Sequence, residues 1–229
     1  VDSRWFTGQN RLYQLDLSMN RIDKLTQASF STLATFEHTL YTSKSPLNGF
    51  TLSLDSNQIS QIEPNTFANL SLSWLSLHSN SLSSVDARWF TGQNRLYTLD
   101  LSGNKITRLT AASFSTLSNK TMSPSGIFYL NLDGNQINRI EPNTFRHFAR
   151  HNTLRELHLA KSSSWEAIEN GTFVGLQGLA SLYMTQSSIG VIETGAFEGL
   201  TSLVELDLIG VQLLGVAKSC AFAALGGTL

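Results

Sequence analysis

Residues 96–114 read LYTLDLSGNKITRLTAASF, and this stretch decides the fold. Leu99, Asp100 and Leu101 alternate apolar and polar side chains, which is typical of a short strand with one buried face. Asn104 follows at the point where the chain would turn, and Phe114 ends the stretch. A strand this short cannot bury its leucines alone. The stretch therefore predicts a unit that packs against copies of itself.

The spacing L-x-x-L-x-L-x-x-N recurs in phase along the chain, and 24 residues separate Asn80 from Asn104. The units open at Leu12, Gly49, Leu72, Leu96, Ile127, Leu154, Leu179 and Leu203. The first five units end in an asparagine, whose carboxamide can satisfy backbone groups buried at the turn: Asn20, Asn57, Asn80, Asn104 and Asn135. In the last three units Ser162 and Ser187 can do part of this, and Val211 cannot, so the last turn is expected to be looser or to need another partner.

Phenylalanines recur at the same position of each repeat, after the strand. The phenylalanines are Phe6, Phe30, Phe67, Phe90, Phe114, Phe145, Phe173, Phe197 and Phe222. We expect them to form a packed spine along the side opposite the strands.

Two long stretches of the chain are near duplicates. Val1–Leu33 and Val85–Leu117 share most of their sequence, which indicates that the whole chain is built from one repeated element.

These motifs resemble the leucine-rich repeat family, and the resemblance covers nearly the whole chain. It implies a single domain, residues 1–229, of the α/β solenoid (horseshoe) type, with about eight repeats and partial terminal repeats. The concave face is expected to be a parallel sheet of about eight strands. The convex side carries few helix formers and is expected to consist of loops and short 3-10 turns. Insertions near 34–48 and 118–126 precede strands; they are either binding elements or tolerated surface loops.

Composition excludes several functional classes. The formal net charge is −1, so the clustered basic surface that nucleic acids require is not expected, and neither is a polybasic membrane footprint. No apolar run approaches the ~20 residues of a membrane helix, so we expect no membrane insertion. His147 and His151 have the spacing of a zinc pair but lack the glutamate of the H-E-x-x-H motif. We therefore expect no metal, no cofactor and no enzymatic activity.

An extracellular location, secreted or at the cell surface, is predicted from short signals. Three N-glycosylation motifs open at Asn69, Asn119 and Asn170, none of them at an outward strand position. The chain begins at Val1 in mid-repeat, which suggests a mature or trimmed chain. Cys220, the single cysteine, is either a buried thiol or half of a bridge whose partner cysteine was cut away. A solenoid end without a cap, or a free edge of the sheet, allows two copies of the chain to pair weakly. The tail at 217–225 could close the core with a short helix.

The outward strand positions are the candidate ligand-binding face. They carry Trp74, His78, Tyr97, Asp100, Phe128, Tyr129, Asn131, Asp133, Arg155, His158 and Tyr183. Exposed aromatics on a rigid sheet favour recognition, and we expect the strongest contacts at Phe128 and Tyr129 beside Trp74 and Tyr97. The alternative is that strands simply favour aromatics, and that Asp16, Asp100 and Asp207 orient their neighbours.

Within this family the resemblance is to variable lymphocyte receptors and Toll-like receptor ectodomains. It implies a recognition module whose concave face binds a protein or glycan ligand, with microbial surface molecules or antigen as the candidates. The alternative is an adhesion or extracellular-matrix module that binds a host protein. Missing cysteine caps and the two insertions depart from the family pattern.

Overall fold

The computed structural model describes residues 1–9, 12–33, 49–68, 70–93, 95–117, 128–149, 154–162 and 164–225. Short strands are its main regular element. In chain order they are β1 (Gln14–Asp16), β2 (Lys24–Leu25), β3 (Phe50–Ser53), β4 (Gln61–Ile62), β5 (Leu72–Ser76), β6 (Thr98–Asp100), β7 (Arg108–Leu109), β8 (Phe128–Asn131), β9 (Arg139–Ile140), β10 (Leu154–His158), β11 (Trp165–Ile168), β12 (Ser181–Tyr183), β13 (Ser188–Ile192), β14 (Glu205–Asp207) and β15 (Gln212–Leu213).

One strand from each repeat joins a parallel eight-stranded sheet in the order β1-β3-β5-β6-β8-β10-β12-β14. Each strand therefore pairs with the strand of the next repeat, and the sheet grows in one direction along the chain. We call it the concave sheet. It confirms the predicted solenoid with about eight parallel strands.

The convex side consists of the remaining short strands, turns and 3-10 helices. β11, β13 and β15 form a second parallel sheet, while β2 pairs with β4 and β7 with β9. The 3-10 helices span Ser3–Phe6, Ser31–Leu33, Ala87–Phe90, Arg146–Phe148 and Ala223–Leu225. All helical residues in the described ranges are of this type, as the scarcity of helix formers predicted. None of these helices is long and apolar enough to cross a bilayer.

The core lies between the concave sheet and the convex side. Leucines of the central strands, such as Leu75, Leu99 and Leu130, are fully buried. The predicted phenylalanine spine is confirmed: Phe30 and Phe67 stack with ring centroids 6.0 Å apart, and Phe173 and Phe197 at 5.7 Å. Because both rows run through all repeats, the core is one continuous column.

Buried asparagines connect each turn to the repeat before it. Asn104 donates from Nδ2 to the carbonyl oxygens of Leu101, at 3.0 Å, and Leu77, at 2.9 Å. Its Oδ1 accepts from the backbone N–H of Leu82 at 3.0 Å. Leu77 and Leu82 belong to the preceding repeat, so one carboxamide satisfies backbone groups of two repeats. Asn57, Asn80 and Asn135 make the equivalent bonds.

The serines that replace asparagine in later repeats make only part of this network. Ser162 Oγ donates to the carbonyl oxygen of Leu159 at 3.1 Å. Ser187 Oγ accepts from the backbone N–H of Ser162 at 3.3 Å. Val211 has no side-chain polar group to offer, and its own backbone N–H bonds to the carbonyl oxygen of Leu208 within the same turn.

Two strands begin one residue later than the sequence frame predicted. Phe50 pairs with Leu72, and Phe128 pairs with Leu154, each followed by a register shift. Phe50 therefore fills the first buried position in place of Gly49, where a Cβ would lie 2.5 Å from Ser73 Cβ. Both strands follow the predicted insertions. The insertions themselves, near 34–48 and 118–126, lie outside the described residues, as does Ile127.

The expectation that Phe128 belongs to the ligand-binding face is therefore wrong. Its side chain is only 3% exposed, and its ring lies 5.5 Å from that of Phe148 in the core. The physical reason is the register shift, which turns Phe128 inward and leaves the next residue, Tyr129, outward.

Both ends of the solenoid expose large apolar side chains. Trp5, Tyr13 and Met19 are exposed at the N-terminal end. The C-terminal end exposes Val204, Ile209, Leu213, Leu214, Val216 and Phe222. The expected short terminal helix is present at Ala223–Leu225, with Leu225 buried. Cys220 is an exposed free thiol, so the alternative of a buried thiol is wrong.

Replacing Asn104 with alanine should cost far more stability than the same change at Asn20, which occupies the equivalent position but is exposed. Asn104→Ala leaves buried backbone groups of two repeats unsatisfied, and we expect a loss of about 2–4 kcal/mol. Asn20→Ala should cost less than about 1 kcal/mol, because water replaces the lost bonds. Urea unfolding followed by circular dichroism measures both, and equal losses for the two variants would contradict the cross-repeat role.

Candidate functional site

The register of the concave sheet aligns its outward residues in columns. The first outward column is Gln14, Thr51, Trp74, Thr98, Tyr129, Glu156, Ser181 and Glu205. The second outward column is Asp16, Ser53, Ser76, Asp100, Asn131, His158, Tyr183 and Asp207. A third row follows two residues after the second, at the ends of the strands: Ser18, Asp55, His78, Ser102, Asp133, Ala160, Thr185 and Ile209.

Three rings from neighbouring strands form what we call the aromatic cluster: Tyr129, His158 and Tyr183. The ring centroids of Tyr129 and His158 are 4.9 Å apart, and those of His158 and Tyr183 are 4.5 Å apart. His158 thus lies between the two tyrosines. All three are partly exposed, since each points outward from a strand whose other face is in the core.

Carboxylates surround the aromatic cluster. Glu156 Oε1 lies 2.7 Å from His158 Nε2, and Asp133 Oδ2 lies 3.6 Å from His158 Nδ1. Tyr183 donates its hydroxyl to Glu205 Oε2 at 2.6 Å. These bonds fix the orientation of the His158 and Tyr183 rings, and all three rings of the cluster remain partly exposed.

The surroundings shift the pKa values of all three rings. Burial alone lowers the pKa of His158, but hydrogen bonds to Asp133 and Glu156 outweigh it, so the net shift is upward. Burial, followed by repulsion from Asp100, raises the pKa of Tyr129 to about 12. The hydrogen bond to Glu205 raises the pKa of Tyr183. The tyrosines therefore stay neutral, and the imidazolium form of His158 is favoured.

Several outward carboxylates also support the backbone. Asp100 Oδ1 accepts from the backbone N–H of Ser102 at 2.8 Å, two residues farther along the chain. Asp16 and Asp207 make the same type of bond to Ser18 and Ile209. Asp133 instead bonds to the backbone N–H of Ala160 in the next repeat, at 2.6 Å. Each bond uses one carboxylate oxygen, so these side chains stabilise the strand ends and still bring negative charge to the surface.

The other residues predicted for this face are spread along it. Trp74 is half-buried and is separated from Tyr129 by Thr98. His78 shares hydrogen bonds with the hydroxyls of Ser79 and Ser102, each at 2.8 Å. Tyr97 and Arg155 lie one residue before the first outward column, and Arg155 donates to the carbonyl oxygen of Gly178 at 2.7 Å. The densest cluster therefore lies nearer the C-terminal end than predicted.

Sequence reasoning missed Glu156, Glu205 and Asp55 at this face. The signal for Glu156 was present, because it stands two residues before His158 on one strand and therefore shares its face. Asp55 accepts from the backbone N–H of His78 at 3.0 Å and from the hydroxyl of Ser76. Asn131, which was predicted, donates to Asp100 Oδ2 at 3.3 Å.

The concave sheet is strongly acidic. The three rows, all of whose members are described, carry seven carboxylates and no lysine or arginine: Asp16, Asp55, Asp100, Asp133, Glu156, Glu205 and Asp207. The chain as a whole is nearly neutral, with a net charge of −1. Negative charge is therefore concentrated on this face, which favours cationic ligands.

Other predicted sites lie away from this face or outside the described residues. Asn170 is exposed and follows β11 on the convex side, so it remains a predicted glycosylation site. Asn69 and Asn119 lie outside the described residues, and so does His151 of the histidine pair. Among the described residues, no three His, Cys, Asp or Glu side chains are grouped to hold a metal ion.

Comparison with protein families gives two matching models, both described as leucine-rich repeat. One matches residues 71–122 and 152–213, and the other matches residues 50–70. The matched segments include six of the eight strands of the concave sheet, from β3 to β6 and from β10 to β14.

Known proteins with the same architecture include receptors. The chain is 34% identical to Toll-like receptor 3 of Bos taurus, over 88% of this chain and 23% of that protein. It is 26% identical to Tsukushi of Gallus gallus, over 93% of this chain and 58% of that protein. The crystal structure of the TLR13–ssRNA13 complex superposes with a TM-score of 0.74, at 26% identity, covering 99% of this chain and 29% of that one. The chain thus spans about a quarter of the length of the Toll-like receptors it matches and over half of Tsukushi.

The raised pKa of His158 predicts a pH-dependent stability. Two carboxylates hold protonated His158 in the folded state, so its contribution to the free energy of unfolding is complete below its ordinary pKa of 6.5. This stabilisation is lost as the pH rises through the higher pKa of the folded state. We expect thermal melts of the unmodified chain to show this loss and His158→Gln to lack it. His78→Gln is the control that should retain it, because the ring nitrogens of His78 hydrogen-bond to the hydroxyls of Ser79 and Ser102 and not to carboxylates. The same pH profile in both variants would contradict the assignment.

Proposed function

Because the chain belongs to the leucine-rich repeat family, we propose that it is a non-enzymatic recognition module that binds a protein ligand through the concave sheet. We place it outside the cell, secreted or at the cell surface, which its resemblance to Toll-like receptor ectodomains supports. The single observation that carries the proposal is the aromatic cluster of Tyr129, His158 and Tyr183 set among three carboxylates, Asp133, Glu156 and Glu205.

The chemistry of this cluster favours lysine and arginine side chains. Rigid aromatic rings supply contact area at low entropic cost, and the neutral rings of Tyr129 and Tyr183 attract cations to their faces. The nearby Asp133, Glu156 and Glu205 add electrostatic attraction, and the fixed strands keep all of these groups in place. A basic patch on a folded protein or peptide therefore fits this face better than a neutral or acidic one.

An RNA ligand fits this face poorly, although the TLR13 structure is a complex with single-stranded RNA. Binding RNA requires lysines and arginines that neutralise phosphates. The three outward rows of this sheet offer carboxylates instead. We therefore favour a protein over a nucleic acid as the ligand of this face.

Two biological settings use the same face. In the first the chain is an innate immune receptor, similar to variable lymphocyte receptors, that binds antigen or a microbial surface molecule. Its similarity to Toll-like receptor 3 supports this setting. In the second it is an adhesion or extracellular-matrix module that binds a host protein. Both settings require the aromatic cluster. Only the identity of the ligand distinguishes them, because the binding site is the same.

Binding to simple peptide probes tests the proposed chemistry. We expect a peptide of alternating lysine and glycine to bind the immobilised chain, and a glutamate–glycine peptide and single-stranded RNA not to bind. Tyr129→Ala and Glu156→Gln should each weaken binding about tenfold, a loss of about 1.4 kcal/mol. Glu198→Gln, a matched charge change at an exposed convex residue, should leave the affinity unchanged. Biolayer interferometry at two salt concentrations measures this, and tighter binding of RNA than of the lysine peptide would refute the proposal.

The two settings are compared with whole ligands. Intact bacterial and fungal cells are tested beside immobilised host matrix proteins, with the unmodified chain and with Trp74→Ala and Tyr129→Ala. Preferential capture of microbial cells that Tyr129→Ala abolishes would support the immune setting. If both variants bind like the unmodified chain, the ligand does not use the concave sheet and the proposal fails.

A further inference from the structure

Arg155 is the only arginine or lysine in the strands of the concave sheet. All eight of these strands are described, and the other seven contain neither residue type. Arg155 stands beside Glu156 on β10, and both side chains reach the surface: Arg155 is exposed and Glu156 is partly exposed. Consecutive side chains of a regular strand point to opposite faces, so β10 departs from the regular pattern at this point.

A register shift in β10 accounts for the outward position of Arg155. Two consecutive residues of β8 pair with the residues on either side of Arg155, which leaves Arg155 as an extra residue without a partner on β8. A bulge of this kind re-aims one side chain. The register shift in β5 puts Ser73 in the same role, but Ser73 is completely buried. Of these two bulges, the one at Arg155 therefore presents a side chain to the surface.

Two hydrogen bonds to the following repeat hold Arg155 in place. Its backbone carbonyl oxygen accepts from the N–H of Ala180 at 2.9 Å, and its Nη1 donates to the carbonyl oxygen of Gly178 at 2.7 Å. Ala180, its neighbour in the next repeat, has only a methyl side chain, which is too small to cover a guanidinium group. Because the guanidinium is already anchored, a ligand that binds it has less conformational entropy to overcome.

The guanidinium group of Arg155 has donors left for a ligand. Its bond to Gly178 uses only part of its hydrogen-bonding capacity. Within the described part of the chain Arg155 forms no ion pair, although Glu156 is its neighbour. Glu156 bonds instead to His158, with 2.7 Å between Oε1 and Nε2. A fixed cation therefore stands next to the aromatic cluster with its charge available to a partner molecule.

We propose that Arg155 binds a carboxylate of the ligand, so that the ligand carries an acidic group beside the basic group held at the aromatic cluster. The planar guanidinium group matches the two oxygens of a carboxylate, which a single point charge cannot do. This inference rests on the proposed function. It narrows the ligand from a basic protein surface to a protein segment on which lysine or arginine alternates with aspartate or glutamate.

The charges around Arg155 select against ligands of a single sign. A purely acidic segment would be repelled by Asp133, Glu156 and Glu205, and a purely basic one would meet repulsion from Arg155. A segment with both charges avoids both penalties, and this is how a surface discriminates between partners. In an extended segment, side chains two residues apart point to the same side, roughly 7 Å from each other. A lysine and an aspartate at this spacing can therefore reach the face together.

The test compares two peptides that differ at one position of a four-residue unit. One peptide repeats Lys-Gly-Asp-Gly and the other repeats Lys-Gly-Asn-Gly, so a carboxylate and a neutral amide of similar shape occupy the same place. Biolayer interferometry measures the affinity of the intact chain for each peptide. We expect the lysine–aspartate peptide to bind the unmodified chain at least as tightly as the lysine–asparagine peptide, although it has lost its net positive charge and the sheet is acidic.

Variants of Arg155 should remove this preference. Arg155→Gln should weaken binding of the lysine–aspartate peptide about tenfold relative to the lysine–asparagine peptide. Arg155→Glu should weaken it further, and Arg155→Lys should keep part of the preference because it keeps the charge. Arg146→Gln removes an exposed guanidinium from the convex side and is the matched control, which should leave the ratio of the two affinities unchanged. A variant that merely loosened the sheet would weaken binding of both peptides alike, so the ratio reports on the carboxylate contact.

The outcomes separate this inference from the function on which it rests. If the lysine–asparagine peptide binds and Arg155→Gln leaves the ratio of affinities unchanged, the carboxylate contact is wrong and the proposed function stands. If neither peptide binds the unmodified chain, the proposed function fails and this inference fails with it. A ratio that changes in Arg155→Gln and not in Arg146→Gln supports the contact.

Discussion

The structure depends on one constraint: the backbone groups buried at each turn must find hydrogen-bond partners in the adjacent repeat. Asn57, Asn80, Asn104 and Asn135 meet this constraint with a carboxamide that bonds to two repeats at once. A repeat without its neighbour would leave these groups unsatisfied and its leucines exposed. Stability therefore lies in the contacts between repeats, and the exposed apolar side chains at both ends of the solenoid follow from the same fact.

The same constraint positions the candidate site. Because parallel neighbours are held in register by the turns, residues one repeat apart lie side by side on the outer face. Tyr129, His158 and Tyr183 meet for this reason, although each pair is separated by more than twenty residues in the sequence. The sheet needs no loop to assemble the cluster, so the rings are held by rigid elements and by bonds to Glu156 and Glu205.

The repeat spacing predicted the sheet, the buried spine and the outward position of residues such as Trp74, Tyr129 and His158, because strand and turn follow one periodic pattern. It did not predict the start of the strands after the insertions, since both Ile127 and Phe128 fit the frame and only packing selects between them. It also could not show that Trp5 and Trp89, which stand in nearly identical sequence contexts, differ in burial, because burial depends on the neighbouring repeat. The concentration of carboxylates became visible only when the register aligned residues such as Asp133 and Glu156.

The separation of inward and outward positions on each strand has an evolutionary consequence. Substitutions at Thr51, Thr98 or Ser181 would alter the recognition surface without changing the leucine core, so they should cost little stability. Asp100 and Asp133 are less free to vary, because one oxygen of each carboxylate caps a strand end. Substitutions should therefore accumulate fastest in the first outward column, where a new binding specificity can arise without loss of folding stability.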